Sequence, residues 1–342
     1  MFENKNHWPL EHWHIEVASK CSLKCPRCTR QEVPNGLINT DLRLDWFKQN
    51  FKDIIANVKK ITFCGDDGDP IYCRDFLDIC AWIKNNNFQC QIVIVTNSSY
   101  KTPEWWKLLS KILNDRDHIH FSIDGWDQDS NNQYRVNCDW DSIMQGISVL
   151  NEHGCTVFKT WAAIAFKFNE SKITHMETLA RNCEFDYFQL TRSSKFGCNY
   201  SAYPIDDPLQ PSEMYVSQGR FTREIIKLSE REWEDSCTHT FIDRYYTQTS
   251  VGAIQPLCSV GNKGLYINSQ GQFYPCCWTG LRYGHNKDIF QYVDQTNKTL
   301  TEILDDPNWR KLTQSFKDGS CPQECKEKCH SKKWSLEHAT SW

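Results

Sequence analysis

Long apolar runs are missing from this 342-residue sequence, and none approaches the ~20 residues that a membrane-spanning helix needs. The opening residues, Met1-Phe2-Glu3-Asn4-Lys5, also lack the apolar core of a signal peptide. Neither sign of charge is in large excess, because 39 Lys and Arg stand against 43 Asp and Glu, so nothing electrostatic indicates a nucleic-acid partner. We therefore expect a cytoplasmic protein that acts on neither membranes nor nucleic acids.

Cysteine, in contrast, is abundant, with 18 residues. Such a number indicates disulfides in a small secreted protein, but this chain is large and has no export signal, so we expect reduced thiols. Two clusters of cysteines, one near the amino terminus and one after residue 257, predict metal binding. The others are scattered singly and are expected to be small buried apolar residues: Cys64, Cys73, Cys80, Cys90, Cys138, Cys155, Cys183, Cys198 and Cys237.

Hydrophobic periodicity predicts six strands, of which the first five are each followed by a helix. The strands are expected at 14–18, 61–64, 90–95, 118–123, 157–166 and 185–190, and the helices at 41–59, 74–86, 103–113, 143–150 and 171–182. This alternation is typical of a parallel sheet with right-handed crossovers, and six repeats favour a partial (β/α)6 TIM-like barrel over a closed eight-stranded one. In such an α/β fold the active site lies at the carboxyl ends of the strands.

Three cysteines, Cys21, Cys25 and Cys28, follow the first strand at CxxxCxxC spacing. Three thiolates on a tight loop can bind three irons of a [4Fe-4S] cluster and leave the fourth iron for a ligand that is not protein. The alternative is a zinc site completed by His12 or His14, although zinc cysteines usually come as CxxC with a second pair further along the chain.

This motif, close to the amino terminus and after a first strand, resembles that of the radical S-adenosylmethionine (radical SAM) superfamily. The resemblance implies that the fourth iron binds the amino and carboxylate groups of SAM. It further implies that an electron from the cluster, supplied by a reductant such as flavodoxin or ferredoxin, cleaves SAM to a 5′-deoxyadenosyl radical that abstracts hydrogen from a substrate. Many family members have an aromatic residue before the third cysteine, where this chain has Arg27.

Two further loops at strand ends resemble SAM-binding segments of the family. Gly68-Asp69-Pro70 resembles the GGEP segment that binds the SAM ammonium group, with Asp69 in place of Glu, and glycine lets the backbone approach a ligand closely. As a bare loop the same residues would be a surface turn or a site for a hard cation. Asn97, at the end of the third strand, and Asn169, after the fifth, are expected to be polar contacts of SAM or substrate.

The fourth strand ends in Ser122-Ile123-Asp124-Gly125, with Arg135 further on, which resembles the peptide-modifying branch of the family. The resemblance implies that Ser122 and Arg135 approach the carboxylate or ribose of SAM and that Asp124 lies near the substrate as a catalytic residue. A guanidinium fork also suits a carboxylate for geometric reasons.

The second cysteine cluster surrounds residues 264–274, where apolar residues alternate about a polar turn and predict a hairpin. The hairpin would bring two cysteines together, and a helical segment near 300–316 would lead the chain back so that a later cysteine pair lies beside them. This gives four thiolates, enough for one closed cluster: Cys258, Cys276, Cys321 and Cys325. This pattern closely resembles the Twitch form of the SPASM auxiliary domain, which implies one auxiliary [4Fe-4S] cluster. A full SPASM domain holds two clusters, and Cys277 and Cys329 are further candidate ligands; in isolation the pattern also fits a zinc ribbon.

We expect a radical SAM barrel over residues 1–192, a linker or substrate-facing insertion with a helix near 213–233 over residues 193–251, and a small α+β cysteine-rich domain over residues 252–342. A closed auxiliary cluster would transfer electrons and would not bind the substrate. Two activities fit: a maturase of peptide or protein side chains, and a dehydrogenase of a small alcohol or sugar-like molecule. A non-catalytic zinc scaffold is the third hypothesis.

Overall fold

The computed structural model describes residues 10–32, 38–152, 154–197, 206–217, 222–235, 265–277, 298–321 and 325. These residues contain one nine-stranded sheet with the order β7-β6-β5-β4-β3-β2-β1-β8-β9. The strands are β1 (His12–Ile15), β2 (Lys60–Phe63), β3 (Gln91–Thr96), β4 (His118–Ser122), β5 (Phe158–Ile164), β6 (Tyr187–Arg192), β7 (Thr222–Lys227), β8 (Leu265–Ile267) and β9 (Phe273–Tyr274). All neighbours from β1 to β6 are parallel, which confirms the predicted partial barrel.

Helices connect the parallel strands as predicted. They are α1 (Leu44–Phe51), α2 (Phe76–Asn86), α3 (Pro103–Ile112), α4 (Gln128–Asn132), α5 (Trp140–Glu152) and α6 (Ile173–Asn182). The first is shorter than expected, because the chain continues from it into a separate 3₁₀ helix at Ile55–Asn57. No helix in the described part of the chain is long and apolar enough to cross a bilayer.

The two faces of the sheet differ in chemistry. Alternate residues of the parallel strands belong to the buried apolar core that the helices cover: Trp13, Ile15, Ile61, Phe63, Ile92, Ile94, Ile119, Phe121, Trp161 and Phe188. The intervening residues, on the inner face of the barrel, are largely polar: His12, His14, Lys60, Thr62, Gln91, His118, His120, Thr160 and Gln189. Burying so many polar groups is unfavourable unless they are paired or serve a ligand.

The prediction of a helix near 213–233 is wrong. This stretch contains a short 3₁₀ helix at Glu213–Tyr215 and the strand β7, which pairs antiparallel with β6. Thr222, Ile225 and Ile226 are β-branched and favour a strand, and the open edge of β6 supplies a hydrogen-bonding partner that periodicity alone does not reveal.

Residues 229–235, after β7, cross the amino ends of the strands. The Lys60 ammonium group lies 2.7 Å from an Asp235 carboxylate oxygen, and the Trp233 indole donates to the Arg116 carbonyl at 2.8 Å. This segment therefore closes the end of the barrel opposite the predicted site.

The predicted hairpin is confirmed as β8 and β9, which are antiparallel. It does not stand apart from the barrel, because β8 pairs in parallel with β1 and extends the same sheet. The predicted helical segment near 300–316 consists of two helices, α7 (Leu300–Leu304) and α8 (Pro307–Asp318), which are separated where the Asp306 side chain caps the second and Pro307 takes its first turn.

Candidate active site

The loop that follows β1 brings the three amino-terminal cysteines to the carboxyl edge of the sheet. Cys25 is buried and Cys21 and Cys28 are half-buried. The Cys28 amide donates to the Cys25 carbonyl at 3.0 Å, and the Lys24 amide donates to the Val136 carbonyl at 2.9 Å, which holds the loop against the segment after α4. The thiols are close enough that Cys25 interacts electrostatically with both of the others.

The surroundings of these thiols fit a metal cluster. Burial raises the pKa of Cys21 to about 12, with Asp69 adding to the rise and Arg30 opposing it. Burial likewise raises the pKa of Cys25, and the Arg135 guanidinium opposes the rise. Thiols in such a setting keep their protons until a metal displaces them, and the flanking arginines compensate the thiolate charge. Within the described ranges, no group of three or more His, Cys, Asp or Glu side chains lies close enough together to hold a single metal ion.

The loop after β2 packs directly on the cysteine loop. A Cβ atom on Gly68 would lie 2.3 Å from the Ala18 carbonyl oxygen, so only glycine allows this approach. The Asp69 amide donates to the Lys20 carbonyl at 2.8 Å. The structure thus places the Gly68-Asp69 segment beside the first cysteine.

The Asp69 carboxylate is buried and accepts several hydrogen bonds. They come from the Thr96 hydroxyl at 2.8 Å and from both the backbone and side-chain nitrogens of Asn97, each at 2.6 Å. Burial raises the pKa of Asp69 to about 6, although these bonds oppose the rise. The Asn97 amide nitrogen also lies 3.5 Å from the Cys21 sulfur, so Cys21, Asp69 and Asn97 form one contiguous group.

Arg135 and Asp124 form a second group, beside Cys25. One Asp124 oxygen accepts from the Arg135 Nε at 2.5 Å, and the other accepts from the Ile164 amide at 2.6 Å. Burial raises the pKa of Asp124, and Arg135 and the Ile164 amide oppose the rise. The Arg135 guanidinium also lies against Cys25 and lines a cavity together with Ser122.

Asn131 and Asn169 position the Asp124 backbone. The Asn131 side-chain oxygen accepts from the amides of Asp124 and Gly125 at 2.9 and 3.1 Å. The fully buried Asn169 donates to the carbonyls of Asp124 and Ile164 at 2.8 and 2.9 Å. Asn169, expected to contact SAM or substrate, therefore holds the ends of β4 and β5 together.

A cavity of about 610 Å³ runs along the polar inner face of the barrel. Arg27, Ser122 and Arg135 lie at its end near the cysteine loop, and Trp233 and Asp235 lie at the closed end. Between them the His118 and His120 rings stack with centroids 4.3 Å apart, and His118 Nε2 lies 2.7 Å from the Thr160 hydroxyl. Other lining residues are Tyr134, Phe166, Tyr187, Gln189, Lys195, Phe196 and Arg223.

Arg27, the residue that departs from the family pattern, pairs with Asp207 in a buried ion pair. Its guanidinium also lies 5.7 Å from the centroid of the Phe196 ring. The pair attaches the cysteine loop to a segment 180 residues away in sequence, so sequence reasoning noticed Arg27 but could not find its partner.

The carboxy-terminal cysteines lie at the ends of regular elements. Cys276 and Cys277 come after β9, separated from it by Pro275, and Cys321 comes two residues after the Gly319 cap of α8, whose φ is 75°. Cys277, Cys321 and Cys325 are buried and Cys276 is half-buried. Cys258 and Cys329, both predicted as candidate ligands, lie outside the described residues.

Comparison with known proteins assigns both halves of the chain. The sequence model of the radical SAM superfamily matches residues 15–180, and that of the SPASM iron-sulfur cluster-binding domain matches residues 258–330. No curated protein sequence was found that matches the chain.

Solved structures with the same fold include anSMEcpe with bound AdoMet and Cp18Cys peptide, and SuiB from Streptococcus suis bound to the precursor peptide SuiA. The first has 14% identity and a TM-score of 0.54 and covers 95% of this chain and 87% of its own. The second has 15% identity and a TM-score of 0.55, and the match covers 92% of this chain and 70% of the SuiB chain. At this identity the likeness shows the fold alone.

The partial barrel, with three thiols at the carboxyl edge of its parallel strands and a cysteine-rich extension, defines an iron-sulfur enzyme. The chain belongs to the radical SAM superfamily and carries a C-terminal SPASM-type auxiliary domain. Its cofactors are a [4Fe-4S] cluster, SAM and the auxiliary iron-sulfur clusters of the SPASM-type domain.

Proposed function

We propose that this protein cleaves SAM reductively and uses the resulting 5′-deoxyadenosyl radical to abstract hydrogen from a peptide or protein side chain. The observation that carries the proposal is that the cysteine loop contacts both the Gly68-Asp69 segment and Arg135, and that Arg135 also lines the cavity. Cys21, Cys25 and Cys28 would hold the cluster, which supplies the electron for cleavage.

The residues around the cysteines suit the two charged ends of a methionine moiety. Asp69 brings a carboxylate to the Cys21 side; its two oxygens accept hydrogen bonds from Thr96 and Asn97, and its negative charge would favour an ammonium group nearby. Arg135 brings a guanidinium to the Cys25 side, where a carboxylate is favourable. Ser122 lines the cavity beside Arg135 and would contact the ribose.

We assign Asp124 a positioning role and not the catalytic one that the sequence suggested. Its side chain is 0% exposed, and both carboxylate oxygens are occupied by Arg135 and by the Ile164 amide. It therefore acts through Arg135, whose Nε it holds while the rest of the guanidinium faces the cysteine loop and the cavity.

The mouth of the cavity is lined by aromatic rings that would exclude water from the radical. Tyr134 and Phe166 lie 4.2 Å apart between centroids, and Phe166 packs edge-on against Phe196 at 5.9 Å. An enclosed apolar rim protects a reactive intermediate from side reactions.

The peptide assignment is supported by the Ser-Ile-Asp-Gly segment and by solved structures of the same fold that bind peptides. The second candidate, dehydrogenation of a small alcohol or sugar-like molecule, is favoured by the cavity itself. Its volume is in the range of about 300–1,000 Å³ typical of small-molecule sites, and its depth is lined by hydrogen-bonding groups.

For the auxiliary domain we propose one [4Fe-4S] cluster held by Cys258, Cys276, Cys321 and Cys325, which accepts an electron after hydrogen abstraction. We place the reaction in the cytoplasm, with flavodoxin or ferredoxin as reductant.

Two cysteine substitutions test the division of labour between the clusters. Anaerobically purified wild-type protein should contain iron and should release 5′-deoxyadenosine with dithionite and SAM. Cys28→Ala should abolish this release, Cys325→Ala should keep it but lose turnover of the substrate, and the half-buried Cys155→Ala serves as the matched control with both retained. Zinc-loaded, colourless protein, or equal loss of SAM cleavage in Cys28→Ala and Cys325→Ala, would contradict the proposal.

The two substrate classes are separated by what stimulates SAM cleavage. An extract that contains a peptide substrate should increase 5′-deoxyadenosine release above the substrate-free rate, and protease treatment of the extract should remove the increase. An increase that survives protease and passes a dialysis membrane would establish the small-molecule activity instead.

A further inference from the structure

The auxiliary-domain hairpin is part of the barrel sheet and reaches the SAM side of it. β8 pairs with β1, and just beyond the ladder the Glu16 amide donates to the Ile267 carbonyl at 2.9 Å. Phe273 of β9 packs against the Trp13 and Trp46 rings with centroids 6.2 and 5.9 Å away. The hairpin is thus held by sheet bonds and apolar packing.

Glu16, at the end of β1, is 0% exposed. One of its carboxylate oxygens accepts from the Tyr266 hydroxyl of the hairpin at 2.9 Å, and the other accepts a short hydrogen bond from the Asp67 amide. A buried carboxylate is stable only when its oxygens are hydrogen-bonded. Glu16 therefore joins the hairpin to the loop that follows β2.

A second bridge runs parallel to the first. The Asp67 carboxylate accepts from the Ser269 hydroxyl at 3.0 Å, and Ser269 lies in the turn of the hairpin. Burial, together with Glu16 and Asp67, raises the pKa of Tyr266, so the phenol keeps the proton that it donates. The loop after β2 is consequently bonded at Asp67 through both its backbone and its side chain.

Asp67 immediately precedes Gly68 and Asp69. These two residues have little freedom to move, because Gly68 already touches the Ala18 and Lys20 backbone and the Asp69 amide is bonded to the Lys20 carbonyl. A shift of Asp67 would therefore be transmitted to the Asp69 carboxylate and, through Asn97, to the surroundings of Cys21.

We infer that the auxiliary-domain hairpin completes the SAM site, with Glu16, Asp67 and Tyr266 as positioning residues that fix the Gly68-Asp69 segment. The inference rests on the proposed function, in which that segment binds the SAM ammonium group. The auxiliary domain then has a role in SAM binding that is separate from its cluster, since the hairpin stays attached to β1 through the sheet.

Tyr266→Phe removes only the hydroxyl that donates to Glu16. We expect the affinity for SAM to fall by about fivefold or more. We also expect faster hydrogen exchange of the backbone amides of residues 65–69, because the Glu16 carboxylate that accepts from the Asp67 amide is then no longer held by Tyr266. Ser269→Ala removes the hydroxyl bond of the second bridge and leaves the weaker bond from the Ser269 amide to Asp67 at 3.4 Å, so it should shift both measurements in the same direction. Ser229→Ala is the matched control, because it also removes a hydroxyl that donates to a buried carboxylate, that of Asp186 at 2.8 Å, at the opposite end of the barrel.

Three measurements on the cluster-loaded full chain decide the matter: equilibrium binding of SAM, hydrogen exchange of residues 65–69, and the free energy of unfolding. Weaker SAM binding with faster exchange, neither of which appears in Ser229→Ala at a comparable loss of unfolding free energy, supports the inference. Unchanged exchange overturns it, and so does faster exchange with unchanged SAM affinity. Failure of the proposed function is recognised separately, because the wild-type protein would then neither bind nor cleave SAM.

Discussion

Arg135→Lys is the most direct test of how this site handles charge. The Arg135 side chain is 17% exposed and donates its Nε to an Asp124 carboxylate that is 0% exposed, while the guanidinium also interacts with Cys25. A lysine ammonium is a compact point charge on a flexible stem and cannot hold the planar fork between these two partners. We therefore expect Arg135→Lys to lose the contact on the SAM side.

The magnitude follows from the number of bonds lost. A hydrogen bond to a charged group contributes about 1.5–3 kcal/mol, so the dissociation constant for SAM should rise by about 10- to 150-fold. Asp124→Asn should also raise the dissociation constant for SAM, because Arg135 is then no longer held by a negative charge. If Asp124 acts only through Arg135, the double variant should bind SAM no more weakly than Arg135→Lys alone, which makes the two changes strongly non-additive.

The assay combines equilibrium binding of SAM to the cluster-loaded protein with urea unfolding of the same variants. Arg231→Lys is the control, because Arg231 pairs with the buried Asp186 at the opposite end of the barrel, 3.3 Å away. It should lower stability without changing SAM affinity. Unchanged SAM binding in Arg135→Lys, or losses from Arg135→Lys and Asp124→Asn that simply add, would refute the reasoning.

Two further changes probe the site and the cavity. Gly68→Ala should keep the iron content of the protein but weaken SAM binding about tenfold or more, because the added Cβ displaces the loop from the Ala18 carbonyl 2.3 Å away; equal SAM affinity in equilibrium binding would contradict this. Burial lowers the pKa of His120 to about 3, so the folded protein keeps it neutral while the unfolded chain takes up a proton below pH ~6.5. The free energy of unfolding should therefore fall by about 1.4 kcal/mol from this group between about pH 7.5 and 5.5, and His120→Gln should remove that part of the pH dependence; an unchanged slope in urea titrations would show that His120 does not titrate this way.

The parts that the sequence predicted well are those that local patterns determine. Apolar runs of strand length and amphipathic stretches of helix length located β1 to β6 and the helices between them. The cysteine spacing and the strand-end loops could be placed together because parallel strands end at one edge of a sheet. The contacts of Asp69 with Asn97, and of Arg135 with Cys25, follow from this topology.

The parts that were missed depend on partners distant in sequence. Arg27 pairs with Asp207, which lies far away in the sequence. Residues 222–227, whose pattern also suits a helix, form a strand because they hydrogen-bond to β6. The catalytic role expected of Asp124 stays a prediction; the positioning role proposed above rests on a contact that only the fold provides, because the Ile164 amide donates to one of its oxygens once β5 lies beside β4. Local sequence patterns indicate which side chains could take part in a site. The packing of the folded chain determines which of those side chains remain accessible to a ligand.

Both edges of the barrel are covered by strands from the later part of the chain. A six-stranded partial barrel leaves β1 and β6 as edge strands with unpaired backbone groups, which favour pairing with another chain. Here β7 covers β6 and β8 covers β1, and both strands come from beyond residue 192. The carboxy-terminal half therefore completes the sheet as well as carrying cysteines. β8 pairs with β1, the strand that leads into the cysteine loop. The hairpin that covers this edge of the sheet is therefore also the one that reaches Glu16 and Asp67.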